Sequence, residues 1–207
     1  MPTKLENLTP LSNSQVKEAS KSLALALQDY PLHIAIFPDA SEREEKSPYF
    51  LEVAIRYGIR FGVSYATSPK LEGILVWLPS QNADYALWKL IRSGMLTCIL
   101  RIGIKPVLRM LSIANYFSML HEQHAPFPHW YGWYVGVKPE FQGKGYGRTL
   151  VEAMIEKADN DNLPCYGETH TEENVSLWEH YGFKVLDQTL IPGTNFKHWI
   201  LLRDKVN

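Results

Sequence analysis

The apolar positions of this chain follow two periods. From Trp130 to Val137 the run W-Y-G-W-Y-V-G-V is aromatic and β-branched, the composition of a strand, and Pro139 ends it because proline cannot donate to a ladder. Beyond it Leu150, Val151, Met154, Ile155 and Ala158 recur at helical spacing. Upstream, Val16, Ala19, Leu23, Ala24 and Leu27 form one apolar stripe, opened by Ser12 with Gln15 as a capping-box partner and expected to end at Pro31. A second helix is expected from about Ser41 to Arg60, with Pro48 a candidate break into two pieces. Residues 61–67 and 71–78 read as a strand pair about Ser68-Pro69-Lys70.

A stretch as long as 80–128 is not expected to be structureless inside a compact domain. Tyr85–Ile91 suits a short helix, and Pro106 suits the first turn of a longer one. That longer helix carries Val107, Leu111, Ala114 and Ser118 on one face and Met110, Ile113, Phe117 and Leu120 on the next. Arg92, Arg101, Lys105 and Arg109 give the segment a cationic edge. Three readings stay open: a helical insertion packed on the sheet, a lid over a pocket, or a surface for a membrane or partner. Further on, residues 164–169 suit a strand, and 174–181 a short helix closed by Gly182. Phe183–Leu186 and Phe196–Leu202 suit two final strands. The order predicts one mixed α/β (α+β) domain over 1–207, a twisted, largely antiparallel sheet flanked by helices, with a helical insertion at about 80–128.

Composition narrows the function. The chain has 207 residues, room for one sizeable core, and a formal net charge of −1, which does not suggest nucleic acid. Two cysteines, Cys98 and Cys165, make no disulfide framework. With no signal peptide evident, a cytoplasmic setting is expected, and no apolar run is long enough to predict a membrane span. His121, His124 and His129 cluster, but Pro126 and Pro128 interrupt the run and no cysteine is near. A solvated helix end is expected there, and no metal site.

The chemistry concentrates between strand and helix, at Gln142-Gly143-Lys144-Gly145-Tyr146-Gly147. A glycine-rich turn into a helix aims backbone N–H groups and the positive helix end at one spot, and Lys144 and Arg148 add charge, so the expected ligand is a phosphate or pyrophosphate. The P-loop pattern fails because Gly145 follows Lys144, and the dinucleotide fingerprint fails because the glycines fall G-x-G-x-G. What fits is Q-x-x-G-x-G, as Gln142-x-x-Gly145-x-Gly147.

With that loop placed after V-x-V-x-P-E, and with Asn174 followed by Tyr181-Gly182-Phe183, the chain resembles the GNAT superfamily of N-acetyltransferases. The resemblance covers about residues 129–203, and G-I-L-V-W-L-P at 73–79 is similar to the puromycin N-acetyltransferase-like branch. The resemblance implies acetyl-CoA as co-substrate. It implies pantetheine held by the backbone of Val135 and Val137 on a bulged, splayed strand, and Gly136 independently suggests a bulge or a close backbone approach. It implies pyrophosphate held by Gln142, Gly143, Lys144, Gly145, Tyr146 and Gly147, and Asn174 near the thiol. The reaction implied is direct attack of an amine on the thioester.

Where the family often has a tyrosine acid, this chain has Trp178, whose indole N–H is a donor without useful acidity. Either Trp178 packs against pantetheine, or another group serves as acid, or none is needed. Tyr181 is the candidate substitute acid, though its position on the helix, turned away from Trp178, favours packing. Glu168 is the expected base and His170 the next choice. The leading function is acetylation of a small-molecule amine. A non-catalytic acyl-CoA sensor and a protein N-acetyltransferase are the alternatives, and a homodimer is left open.

Overall fold

The computed structural model describes residues 4–206. A single seven-stranded sheet runs through them in the order β1-β2-β3-β4-β5-β7-β6. The strands are β1 (Thr9–Pro10), β2 (Val63–Ala66), β3 (Gly73–Pro79), β4 (Trp130–Val137), β5 (Cys165–Thr169), β6 (Lys184–Leu190) and β7 (Lys197–Arg203). Every neighbouring pair is antiparallel except β4 with β5, which is parallel.

The central strand β3 shows why the sheet is covered on both faces. Successive side chains point to opposite sides. Ile74 and Val76 join the cluster built with α1 (Val16–Ala26) and α3 (Ala40–Phe61). Leu75 and Trp77 join the cluster built with α7 (Tyr146–Asn160). All four are buried, so β3 reads as a continuous apolar run.

Around α1 the Ser12–Gln15 pairing forms by half. The Gln15 side chain accepts from the Ser12 backbone N–H at 3.1 Å, and the regular helix begins one residue later. Pro31 was expected to end this helix. It instead opens a further one, α2 (Pro31–Ile36), at the first helical position where its missing N–H has no intrahelical partner to lose. Pro48 does not break α3, which runs 22 residues through it. The carbonyl that loses its partner there belongs to Glu44, and Glu44 is exposed to water.

The insertion holds three helices: α4 (Leu87–Arg92), α5 (Met95–Ile102) and α6 (Ile104–His124). The sequence reading missed α5. It is eight residues bounded by Gly94 and Gly103, both at positive φ, so its apolar pattern is too short to show a period. On α6 the stripe that packs inward is Val107, Met110, Ile113, Phe117 and Leu120, while Leu111 of the other expected face is largely exposed. The expectation of a solvated histidine cluster is also corrected. His121 and His129 are buried, with their Nε2 atoms 2.7 Å apart, and burial holds the His121 pKa down at about 4. No helix among the described residues is long and apolar enough to cross a membrane.

Candidate active site

The sheet opens between β4 and β5. The two strands pair only over Trp130–Gly132 and Cys165–Gly167. The cause is local. Against β3, Val76 faces Tyr134 and Trp77 faces Gly132, which leaves Trp133 as an extra residue in β4. Such a bulge bends its strand and ends regular pairing. The glycine at 136 had pointed to a bulge or a close approach, and the structure places the bulge at Trp133. Gly136 serves the approach: a Cβ there would lie 2.7 Å from Leu23 Cδ1 and 2.9 Å from Ala26 Cβ, so glycine lets α1 sit against the strand.

Beyond the bulge the backbone of β4 is half used. Lys138 donates to the Glu72 carbonyl, which makes 138 and 72 a hydrogen-bonded pair. In an antiparallel ladder such pairs alternate, so Gly136 and Tyr134 bond toward β3 while Val135 and Val137 direct their N–H and C=O groups into the gap. One of these carbonyls is engaged, since Gln142 Nε2 donates to Val137 O at 3.1 Å.

At the mouth of the gap lies the glycine-rich turn. Gly143 and Gly145 take φ of +74° and +87°. A Cβ at either would meet nothing within 4 Å, so these positions need glycine for conformation rather than space. Gly145 is the N-cap of α7 and supplies no capping side chain, which leaves the first N–H groups of α7 for a ligand. The cations nearby are turned to the protein: Lys144 Nζ bonds the Glu140 carbonyl at 2.8 Å, and Arg148 Nε pairs with Glu152 at 2.6 Å. Tyr146, the first residue of α7, packs edge-on against Phe141.

From this mouth a cavity of about 750 Å³ runs inward, lined by Gln142, Gly147 and Val135 at one end and by Glu168 at the other. Tyr166 and Glu168 alternate to the same side of β5, and Tyr131 stands opposite Tyr166 on β4. Both phenols donate to the carboxylate, Tyr166 to Oε1 at 2.9 Å and Tyr131 to Oε2 at 3.1 Å. Burial nevertheless pushes the Glu168 pKa up to about 7, against the lowering by these two donors. Tyr85, Trp133 and Tyr134 line the same end, and Met110, Ile113 and Phe117 of α6 roof it. The insertion is therefore both packed on the fold and part of the pocket wall.

The remaining expected residues fall along this cavity in different surroundings. His170 is buried with both ring nitrogens occupied. Nδ1 lies 3.2 Å from the Tyr30 hydroxyl and Nε2 lies 3.0 Å from His198 Nδ1, and desolvation holds its pKa well below the usual histidine range. Asn174 sits in the first turn of α8 (Glu172–His180), where its backbone N–H is capped by Thr171. Trp178 packs edge-on against Phe183 at 5.0 Å between ring centres. Tyr181 lies 6.5 Å from Trp178, and partial burial raises its phenol pKa. Tyr131, Tyr166 and Tyr30 were not singled out from the sequence. Tyr166-Gly-Glu168 did carry a signal, since residues two apart on a strand share a face.

A family model described as "Acetyltransferase (GNAT) family" matches residues 105–183. A fission yeast protein, "Uncharacterized N-acetyltransferase C550.08" of Schizosaccharomyces pombe, is 27% identical over 180 residues, 81% of this chain and 70% of its own length. Among solved structures, a Corynebacterium glutamicum protein described as histone acetyltransferase HPA2 and related acetyltransferase aligns at TM-score 0.65 and 16% identity, over 97% of each chain. Arylalkylamine N-acetyltransferase 2 of Aedes aegypti aligns at TM-score 0.65 and 15% identity, over 95% of this chain and 97% of the other. The family match falls on the segment, from α6 through α8, that carries the split strand and the glycine turn. Residues 105–183 thus match the GNAT acetyltransferase family, and the chain as a whole shares the fold of these solved acetyltransferases.

Proposed function

We propose that this protein transfers the acetyl group of acetyl-CoA to a small-molecule amine by direct attack, as a single-domain cytoplasmic enzyme. One observation carries the reading: a continuous cavity leads from the glycine turn, along the strand edge of Val135 and Val137 that β5 leaves unpaired, to the Glu168 carboxylate. The turn residues Gln142, Gly143, Lys144, Gly145, Tyr146 and Gly147, with the start of α7, hold the pyrophosphate through backbone N–H groups. Val135 and Val137 bond the pantetheine arm as a neighbouring strand would. Asn174 and Trp178 flank its thiol end.

The amine occupies the end walled by Tyr85 and Trp133, where aromatic faces suit a cationic or apolar body. Glu168, poised near neutrality, takes the ammonium proton. A backbone N–H of β4 polarises the thioester carbonyl, and the pocket aligns the two substrates. The departing thiolate, whose acid has a pKa of about 8.5, leaves without a strong proton donor. That accommodates Trp178 in place of a phenol. Tyr181 is the donor within reach of this end, and His170 is the base to examine after Glu168.

The roof formed by α6 favours a small acceptor over a protein chain. Steady-state thiol release across a panel of amines tests the proposal. Turnover that Glu168→Gln removes while calorimetric CoA affinity stays supports it. Tight CoA binding with no turnover on any amine replaces it with the acyl-CoA sensor.

A further inference from the structure

The helical insertion is apolar on two sides. Its inner stripe packs on the fold, and its outer stripe is left exposed by the described residues. On α4, Trp88 and Ile91 are exposed. On α5, Leu96 is 59% exposed and Leu100 is 86% exposed. On α6, Ile104 and Leu108 are exposed one turn apart, and α6 packs beside α5. Large apolar side chains gathered this way on one surface mark an interaction site.

Charge says what covers them. Between Tyr85 and Glu122 the sequence holds Lys89, Arg92, Arg101, Lys105 and Arg109 and no carboxylate. Lys89 is engaged by Asp84 at 2.8 Å, and the other four are exposed at the border of the apolar face. Beside them, between α3, α4 and α5, lies a second cavity of about 300 Å³ lined by Arg56, Arg60, Arg92 and Arg101. Its one carboxylate, Glu52, is paired with Arg56 at 3.2 Å. Ile91 belongs both to this cavity's wall and to the exposed face, so the basic recess opens where the apolar surface ends. A second copy of the chain across a two-fold axis would set the same cations against one another. A bilayer of anionic phospholipid answers both features, with acyl chains against the leucines and phosphate against the arginines.

We propose that the outer face of α4, α5 and α6 docks on an anionic membrane surface, with a lipid phosphate seated among Arg56, Arg60, Arg92 and Arg101. The protein would lie on the bilayer, and the roof of the acceptor pocket would be the element that touches it.

Flotation of the full chain with vesicles tests this, using phosphatidylcholine alone and phosphatidylcholine with a quarter phosphatidylserine. The expected result is binding to the anionic vesicles only, weakened by salt. Arg101→Gln should lower partition about fivefold. Leu96→Ser with Leu100→Ser should lower it by about tenfold or more. Both positions are exposed, and an unchanged thermal midpoint shows that the fold is intact. Absence of binding to either vesicle overturns the proposal, as does equal binding to both that Arg101→Gln leaves untouched. So does a lipid-free dimer, seen by sedimentation, that the leucine variants disperse, because a second copy would then own the face.

Discussion

The two ends of the main cavity are built from different materials. At the glycine turn the walls are main chain: N–H groups at the start of α7, two glycines at positive φ, and the backbone edge of Val135 and Val137 that no strand pairs. At the inner end they are side chains from separate elements, with Glu168 and Tyr166 on β5, Tyr131 on β4 and Phe117 on α6. A backbone site depends on local conformation, so one short segment specifies it. A side-chain site depends on the whole fold, and no segment contains it.

The contrast is sharpest at Gly145. Gly145→Glu puts a carboxylate and a strained φ of +87° where the anion would sit, and CoA binding should fall below detection by titration calorimetry. Lys144→Ala at the next position should cost only a few-fold, since that side chain is exposed and bonded to the Glu140 carbonyl. A large loss for Lys144→Ala would mean that the turn works through side chains after all.

At the inner end the order reverses. Glu168→Gln keeps the shape and removes the base, so turnover should drop roughly 10²-fold or more at neutral pH with CoA affinity retained. The loss should shrink at high pH, where the amine is already free. Collapse of CoA affinity together with turnover would make Glu168 structural and turn attention to His170. Tyr166→Phe is the finer cut. It removes a donor that lowers the Glu168 pKa, so the rise of turnover with pH, centred at about 7 in the parent, should move to higher pH while CoA affinity holds. An unmoved profile would separate Glu168 from the titration.

Stability should carry the mark of the same interior. His33 is held at about 3 and His121 and His198 at about 4 by burial. The unfolded chain takes up protons below about 6.5 and these folded groups do not. Their stabilisation is therefore whole above that pH and is lost as pH falls toward 4. Thermal midpoints should be roughly 5 °C or more lower at pH 5 than at pH 7.5. Glu168 has the opposite sign. Its raised pKa favours the fold at low pH, and that contribution is lost as pH rises through about 7. Glu168→Gln should then melt higher than the parent at pH 8. The smallest effect is expected from Trp178→Tyr. Trp178 packs on Phe183, so CoA affinity should slip modestly without a gain in turnover, and a several-fold gain would show that proton donation limits the reaction.

The same division explains what the sequence disclosed. The run from Trp130 to Ala158 shows strand, turn and helix in order because each is set by neighbours along the chain. Gly136 left a bulge and a close approach open, and only pairing with β3, which makes Trp133 the extra residue, and packing of α1 decide for the approach. Pro31 and Pro48 misled for a related reason. Proline breaks a helix only where its missing bond matters, and at a helix start or beside an exposed carbonyl it matters little. The buried His121–His129 pair was read as solvated because Tyr131 and Tyr166, which cover it, are brought there by the pairing of β4 with β5 and the packing of α6, neither of which is set by neighbours along the chain.

The splayed sheet also decides how this protein behaves in a crowd. Open strand edges invite other chains to add to them and grow into aggregates. Here both outer edges are blunted: β1 is two residues long and ends in Pro10, and β6 is broken by an irregularity between Val185 and Asp187. The β4 edge beyond Trp133 has no strand partner on its β5 side and no such protection, but it lies inside the sheet, flanked by α1 and α7, rather than on the rim. The fold thus keeps its most adhesive stretch of backbone where polymerisation cannot reach it.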